Sequence, residues 1–325
     1  MIHPLVSFVI PVFNSENDIA RCLLAIRNLQ CPKEDYDLVI VDNGSTDHTH
    51  EIMHDLGFDF QVIPKVNVSA LRNRGAALAR GRYLAFIDSD VEVSPHWLQR
   101  ALEGFSDPQV VACGCFPGVP PNPTWVQQIW DLHQRGRRSA VHLTPSLWLP
   151  SMNLMVRRVD FLGIAGFNEH LETTEDVDLC YRLAQRGTIL CNPGMEAIHW
   201  GEAPDLRTFW RKEVWRGLGN LKGILSHGFR WDEVPSLGYP LYMLMATLLC
   251  IVSLYTDLWR WRLQLLPFGF FALTFPAICL ALNTAYQAQS LQSIPKLFIL
   301  YFLYALSHAY SIVRTCMTIL GNLKR

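Results

Sequence analysis

Tyr83-Leu84-Ala85-Phe86-Ile87-Asp88-Ser89-Asp90 is a continuous apolar run that stops abruptly at two carboxylates. A strand buried on both faces reads this way, without polar alternation, and its tip lies at the carboxyl edge where open α/β sheets bind ligands. Two Asp side chains one residue apart also offer the oxygen ligands that a hard divalent cation takes, often together with phosphates. An acidic turn after a core strand has the same sequence, so this stretch alone leaves both readings open.

The segments around it predict the rest of a sheet. Residues 6–12 read as a buried strand, stopped by Pro11 and the turn-forming Asn14-Ser15. Ser15 is placed to cap the next helix, with Asp18 at the capping-box spacing and Ile19, Cys22, Leu23, Ile26 and Leu29 at helical spacing. Leu38-Val39-Ile40-Val41 is a second strand running into Asp42-Asn43-Gly44-Ser45-Thr46-Asp47, and residues 60–63 are a short third. A helix is predicted over 68–79, entered through Asn67, and another after Ser94-Pro95, carrying Trp97, Leu98, Ala101, Leu102 and Phe105. Strands alternating with short helices imply a parallel sheet with helices on both faces.

Three strand ends then carry polar tips along one edge: Asn14 with Glu16, Asp42, and Asp88 with Asp90. That edge offers what a nucleotide sugar diphosphate needs, namely base and ribose contacts and a place for a cation. Neither Gly-x-Gly-x-x-Gly nor Gly-x-x-x-x-Gly-Lys occurs, so no glycine cradle for phosphate is signalled and a metal must carry most of the neutralisation.

Composition narrows the class. Half of the 325 residues are hydrophobic and 18% are charged, and the long charge-free segments all follow residue 236. A formal charge of −1 argues against an overall polyanion binder, so no nucleic-acid partner is expected. Nine cysteines without a Cys-x-x-Cys pair read as reduced thiols facing the cytosol, and Cys113 and Cys115 read as a strand end. Residues 6–10 are too short for a secretory signal and no basic segment precedes them, so the polar part of the chain is expected to stay in the cytosol.

Five segments in order and spacing closely resemble the family 2 glycosyltransferases, whose Rossmann-like fold is called GT-A. They are Val9-Ile10-Pro11-Val12-Phe13-Asn14, Val41-Asp42-Asn43-Gly44-Ser45-Thr46-Asp47, Arg72-Asn73-Arg74-Gly75, Phe86-Ile87-Asp88-Ser89-Asp90 and Thr174-Glu175-Asp176-Val177-Asp178-Leu179. The resemblance covers roughly residues 5–200. It implies that Pro11, Val12, Phe13, Glu16 and Asp42 hold base and ribose, with Arg72 at the nucleotide. Asp88 and Ser89 would lie near ribose and donor sugar, and Asp90, with Asp88, would bind Mg²⁺ or Mn²⁺ on the diphosphate. A UDP-sugar is the favoured donor, with guanosine as the other base. Asp42 as a turn residue accepting backbone hydrogen bonds is the bland alternative.

On the acceptor side, residues 147–156 read as a strand in which Met152-Asn153-Leu154 resembles the family's acceptor segment, and residues 161–167 as a short helix and turn. Residues 124–146 mix Trp125, Ile129, Trp130 and Leu132 with Arg135, Arg137 and Arg138, a positive segment that meets an anionic partner or is a solvated helix face. Thr174 is a suitable N-cap for a helix with Glu175, Asp176 and Asp178 in its first turn, closed by Gly187. An inverting transfer needs a base for the acceptor hydroxyl. By resemblance that base is Asp176, with Glu175 as fallback or acceptor-orienting residue. His199 is either a structural hydrogen-bonder or, as in some GT-A enzymes, a third metal ligand. Arg211 and Arg216 resemble a segment near the acceptor cleft, and the Gln-x-x-Arg-Trp motif of processive cellulose-type synthases is missing.

Leu206, Trp210, Val214, Leu218, Leu221 and Leu225 recur at helical spacing among Arg207, Arg211, Lys212, Arg216 and Lys222, a basic amphipathic helix suited to the cytosolic membrane face. Residues 237–256 and 263–282 are charge-free runs long enough to span, with a shorter third at 297–313 and a belt of Trp259, Arg260, Trp261 and Arg262 between the first two. Three spans would put Lys324 and Arg325 outside, against the positive-inside rule, so the number of spans is two or three. The predicted architecture is an α/β GT-A catalytic domain over 1–204, with a donor half to about 115 and an acceptor half after it. An amphipathic interfacial helix at 205–235 and a helical membrane region at 236–325 follow. The expected function is an inverting, metal-dependent transfer of sugar from a nucleotide sugar to a lipid-linked or glycan acceptor at a membrane, in surface glycan or exopolysaccharide synthesis. The alternative is an inactive glycosyltransferase-like membrane scaffold or nucleotide-binding protein.

Overall fold

Val6–Val12 forms the central strand β1, and all seven of its residues are buried. The structure is a computed structural model that describes residues 4–135, 142–227, 234–255 and 262–323. Strand β2 (Tyr36–Asp42) pairs parallel to one side of β1 and β4 (Tyr83–Ile87) to the other. With α1 (Ile19–Arg27), α2 (Thr49–Asp55), β3 (Gln61–Val62) and α3 (Val68–Leu78) between them, these strands make the alternating α/β half. Asn67 caps α3 as expected, its side chain accepting the Ala70 N–H at 2.9 Å. Gly75 lets α3 approach the sheet, since a Cβ there would lie 2.5 Å from a Val9 methyl.

After β5 (Val91–Val93) and α4 (Trp97–Gly104) come β6 (Val110–Gly114), α5 (Trp125–Arg135), β7 (Thr144–Pro145) and β8 (Asn153–Arg157). Then follow α6 (Arg158–Gly163), α7 (Glu175–Leu183), β9 (Thr188–Cys191) and β10 (Ala197–His199). The main sheet has the order β3-β2-β1-β4-β8-β6-β9-β7, with β8 and β7 antiparallel to their neighbours and the rest parallel. The mostly parallel sheet therefore presents the carboxyl ends of β1, β2 and β4 at one edge. A small second sheet pairs β10 with β5, His199 opposite Val91.

Three local expectations shift. The strand expected over 147–156 starts only at Asn153, because Pro150 has no N–H for a ladder and its carbonyl instead accepts the Asn153 N–H in a turn. Ser15 does not cap α1 with its side chain; its carbonyl accepts the Asp18 and Ile19 N–H groups, and the helix begins after Asp18. Thr174 does not cap α7, because its φ of 63° places it in the left-handed region, where the hydroxyl turns to the Thr173 carbonyl.

The chain divides into two compact units, one of Met1–Asn122 and Arg137–Glu202, the other of Pro123–Gly136 and Ala203–Arg325. Helix α5 thus groups with the C-terminal helices α8 (Leu206–His227), α9 (Val234–Tyr255), α10 (Arg262–Gln287) and α11 (Ile294–Leu323). In this second core Trp130 packs edge-on against Phe209, and Ala277, Ala281 and Ala285 of α10 pack with Leu297, Leu300 and Ala305 of α11. Among the described residues, 269–287 and 291–317 are long and apolar enough to cross a membrane, while 238–251 is a shorter apolar helix. The third run is longer than expected, and the polar atoms inside it are satisfied: Ser307 donates to the Tyr304 carbonyl of its own helix at 2.8 Å, while α8 meets Ser311, which donates to the Val214 carbonyl at 2.8 Å, and His308, 3.1 Å from Glu213. Arg137, Arg138, Trp259, Arg260, Trp261, Lys324 and Arg325 lie outside the described residues, as do the side chains of Arg135, Leu221, Lys222, Leu225 and Arg262.

Candidate active site

Arg72 organises the site. It sits on the buried face of α3, 2% exposed, because a guanidinium there has two carboxylates to meet. Its Nη2 donates to Asp88 Oδ1 at 2.7 Å and its Nη1 to Glu175 Oε1 at 2.9 Å, while the ring of Phe167 lies 5.4 Å away. Burial alone would lower the pKa of Arg72, but Asp88 and Glu175 more than reverse this and raise it. Arg72 is thus a permanent cation joining the tip of β4 to the start of α7, and both of its terminal nitrogens are committed to protein carboxylates.

Asp176 stands next to that bridge, partly accessible, with its own Oδ1 accepting the Val177 N–H at 2.8 Å. Its pKa is pushed up to about 7, first by burial and then by the charge of Glu175, against the Val177 N–H and Arg72, which lower it. A carboxylate so placed exchanges protons near neutrality. The left-handed conformation of Thr174 sets the Glu175-Asp176 pair at its angle, and for a β-branched residue it is a strained one.

The other side of the strand tip carries Asp90. Its Oδ2 lies 3.2 Å from His199 Nε2, and His199 Nδ1 lies 2.9 Å from Glu202 Oε1. Burial would lower the pKa of His199, but Asp90 and Glu202 raise it to about 10. Gly201 lies against the pair: a Cβ there would stand 2.1 Å from Asp90 Oδ2 and 2.8 Å from His199 Nε2. No set of three His, Cys, Asp or Glu side chains is gathered as a metal cage among the described residues. The part-exposed Asp90 carboxylate and the His199 imidazole beside it still fit a cation that takes its other ligands from water and phosphate, while the Asp88 carboxylate is turned to Arg72.

At the nucleotide edge, Pro11 and Val12 are buried and Phe13 is 57% exposed. Glu16 Oε2 accepts the His48 N–H at 3.1 Å, and Ser15 Oγ reaches the Ser89 carbonyl at 3.5 Å. Asp42 is fully buried: it accepts the Gly44 and Ser45 N–H groups at 2.7 Å and the Ser45 hydroxyl at 2.5 Å, with His50 Nε2 at 3.0 Å. The turn alternative describes that geometry. Asn153 is likewise absorbed by the core. It accepts from Trp97 Nε1 at 2.6 Å and donates to the Cys115 and Met195 carbonyls at 3.0 Å, so its amide is spent on packing rather than turned to the site. Arg211 and Arg216 belong to the second unit on α8, Arg211 exposed and Arg216 paired with Glu213 at 2.5 Å.

Sequence reasoning missed Glu202, Glu92 and Arg21. The His-x-x-Glu spacing of His199 and Glu202 was the available signal; the other two depend on tertiary pairing.

Residues 7–162 match the family model described as Glycosyl transferase family 2. The chain is 28% identical over 249 residues to validoxylamine A glucosyltransferase of Streptomyces hygroscopicus subsp. limoneus, covering 63% of this chain and 53% of that protein. It is 33% identical over 191 residues to glycosyltransferase AglE of Haloferax volcanii, covering 57% of this chain and 62% of that protein. The chain therefore spans only about half to three fifths of the curated relatives it matches. Among solved structures, a mannosyltransferase from Pyrobaculum calidifontis in complex with GDP-Man and Mn²⁺ superposes with a TM-score of 0.60 over 97% of this chain and 87% of that one. At 16% identity this is a likeness of fold.

Proposed function

Because residues 7–162 match the Glycosyl transferase family 2 model, we propose that the chain is a glycosyltransferase of that family and transfers a sugar from a nucleotide sugar to a membrane-associated acceptor with inversion at the anomeric carbon. The observation that carries this reading is the Arg72 bridge, which ties the strand tip bearing Asp88 to the helix end bearing Glu175 and Asp176. Donor-side and acceptor-side carboxylates thereby belong to one hydrogen-bonded unit.

Asp176 takes the proton of the acceptor hydroxyl as its oxygen attacks the anomeric carbon. A pKa near 7 suits that task, since the carboxylate is present at neutral pH and basic enough to accept a proton. Glu175, fixed on Arg72, keeps negative charge beside Asp176 and lines the approach of the acceptor. Asp88 faces ribose and donor sugar, and Phe13 and Glu16 border the base. Asp90 and His199 hold a divalent cation, which when bound offsets the charge of the departing nucleoside diphosphate.

The base of the donor is uridine or guanosine. Family habit favours a UDP-sugar, and the GDP-Man held by the Pyrobaculum mannosyltransferase puts guanosine donors in the same screen. The two helices apolar enough to span support membrane association, with the catalytic unit on the cytosolic side and a lipid-linked acceptor presented at the surface. Surface glycan or exopolysaccharide assembly uses such an acceptor.

The test is release of nucleoside diphosphate from a panel of sugar nucleotides, with and without membrane lipid extract. Correctly folded Asp90→Ala and Asp176→Asn variants are expected to lose transfer by about two to four orders of magnitude. Full transfer by either variant would remove the assigned role.

A further inference from the structure

The segment from His199 to Glu202 is held more firmly than a strand end requires. His199 is 5% exposed and stands between two carboxylates of different accessibility: Glu202, 13% exposed at its side chain, at Nδ1, and Asp90, 30% exposed, at Nε2. The next residue is anchored twice. The Trp200 backbone N–H donates to the Asp90 carbonyl at 2.9 Å, and its indole N–H donates to Glu92 Oε2 at 2.8 Å. The Arg21 guanidinium lies 3.7 Å from the Trp200 ring centroid and 3.9 Å from Glu92. Ile198, on the other side of His199, lies opposite Glu92 in the β10–β5 ladder, so His199 is held to β5, the strand that Asp90 leads into, from both sides.

We infer that Glu202 is a positioning residue that presets His199 to offer Nε2 to the divalent cation carried by Asp90, and that the Trp200–Glu92–Arg21 latch holds the strand in that register. The inference rests on the metal reading of Asp90 proposed above. An imidazole free to turn presents either nitrogen. A carboxylate on Nδ1 keeps a proton there, fixes the ring and makes Nε2 the better ligand. The geometry supplies that arrangement before any ligand arrives: the inner carboxylate is on Nδ1, and the more open one shares Nε2. The latch explains why an Arg, a Trp and a Glu from three separate segments converge beside the site.

The experiment measures Mn²⁺ binding to the purified full chain in detergent, from the electron paramagnetic resonance signal of free Mn²⁺, with no substrate present. Glu202→Ala is expected to weaken Mn²⁺ about tenfold, the usual size of an outer-shell effect. Glu202→Gln keeps an acceptor oxygen for the Nδ1 proton and should recover most of that loss. Trp200→Phe keeps a ring under Arg21 but removes the indole donor, and should weaken Mn²⁺ about threefold, one modest hydrogen bond's worth. Thermal melting of all three close to the parent establishes that they fold. If Glu202→Ala binds Mn²⁺ like the parent while Asp90→Ala has lost it, Glu202 is only a packing partner of His199, and the metal reading survives without this inference. If Asp90→Ala itself binds like the parent, both are overturned.

Discussion

With Asp176 as the proposed base, a pH dependence of transfer is expected. Its carboxyl is raised from an ordinary 3.8 to about 7, first by burial and then by Glu175. That rise disfavours the ionised form by about 4 kcal/mol. A base must be ionised to work, so the ionised fraction grows about tenfold between pH 6 and pH 8. The measurable quantity is kcat/KM for the acceptor, followed by nucleoside diphosphate release, and it should rise by that factor and level off on the alkaline side. Glu175→Gln removes the second cause of the rise while keeping an oxygen for Arg72, so the limb should move towards acid. The linkage sign is also determined. A carboxyl whose folded pKa lies above its unfolded value binds more protons when folded, so stability falls as pH rises from about 4 to about 7. Asp176→Asn, neutral at every pH, should therefore be more stable than the parent at pH 8 and little changed at pH 4, by urea unfolding. A flat rate profile across this range, or a limb displaced towards alkali by Glu175→Gln, refutes Asp176 as the base.

Other substitutions separate packing from chemistry. Arg72→Met leaves the buried Glu175 and the part-exposed Asp88 without their shared cation and should cost about 3 kcal/mol in urea unfolding; stability equal to the parent would dissolve the bridge. Asn153→Leu removes one acceptor and two donor contacts of the core and should cost about 3 kcal/mol or more in total. Turnover per folded molecule should survive it; loss of acceptor affinity at full stability would return Asn153 to the acceptor side. In the second unit, Glu213→Ala leaves Arg216 and His308 without their buried partner and should destabilise by about 3–5 kcal/mol, read as a lowered melting temperature in detergent.

What the sequence made legible was what depends on local pattern. β1, β2 and β4 are apolar runs ended by polar tips, and their parallel pairing follows from the helices between them. Asn67 was readable as a cap because its reach is three residues. Features set by distant partners were not. Arg72 meets Asp88 16 residues away and Glu175 103 residues away, and nothing local distinguishes that bridge from a phosphate contact. Asn153 looked like a site residue from its motif and is fixed instead by Trp97, 56 residues away. The cap predicted at Thr174 does not form either, since its backbone is left-handed and its hydroxyl donates to the Thr173 carbonyl. His308 and Ser311 broke the apolar pattern of the last helix, and only the packing of α8 shows how they are satisfied.

Two of these departures, Thr174 and Arg72, meet at the start of α7, and that placement has a consequence. A strained Thr174, a carboxyl at Asp176 that resists ionisation and a buried Arg72 with its Nε unpartnered all stand within one shell around Glu175. Each costs folding free energy, of order 1–3 kcal/mol for the backbone strain alone. Such costs persist only where the surroundings over-determine them, and here a fully buried β1 and β4 and the aromatic contacts among Phe86, Phe161 and Phe167 supply the rigidity. A merely structural helix end would be free to relax, with Thr174 in the extended region capping α7 and Asp176 in water. Glu175 is held away from that relaxed state by Arg72, whose other arm is on the donor-side strand tip. The strained helix end and the strand tip are therefore one mechanical unit, so a donor that moves Asp88 also moves the seat of Glu175. Ordered binding, donor before acceptor, is the expected kinetic consequence for the proposed transferase. In steady-state inhibition, nucleoside diphosphate should compete with the donor and act non-competitively towards the acceptor, and the reverse pattern would show that the bridge carries no such coupling.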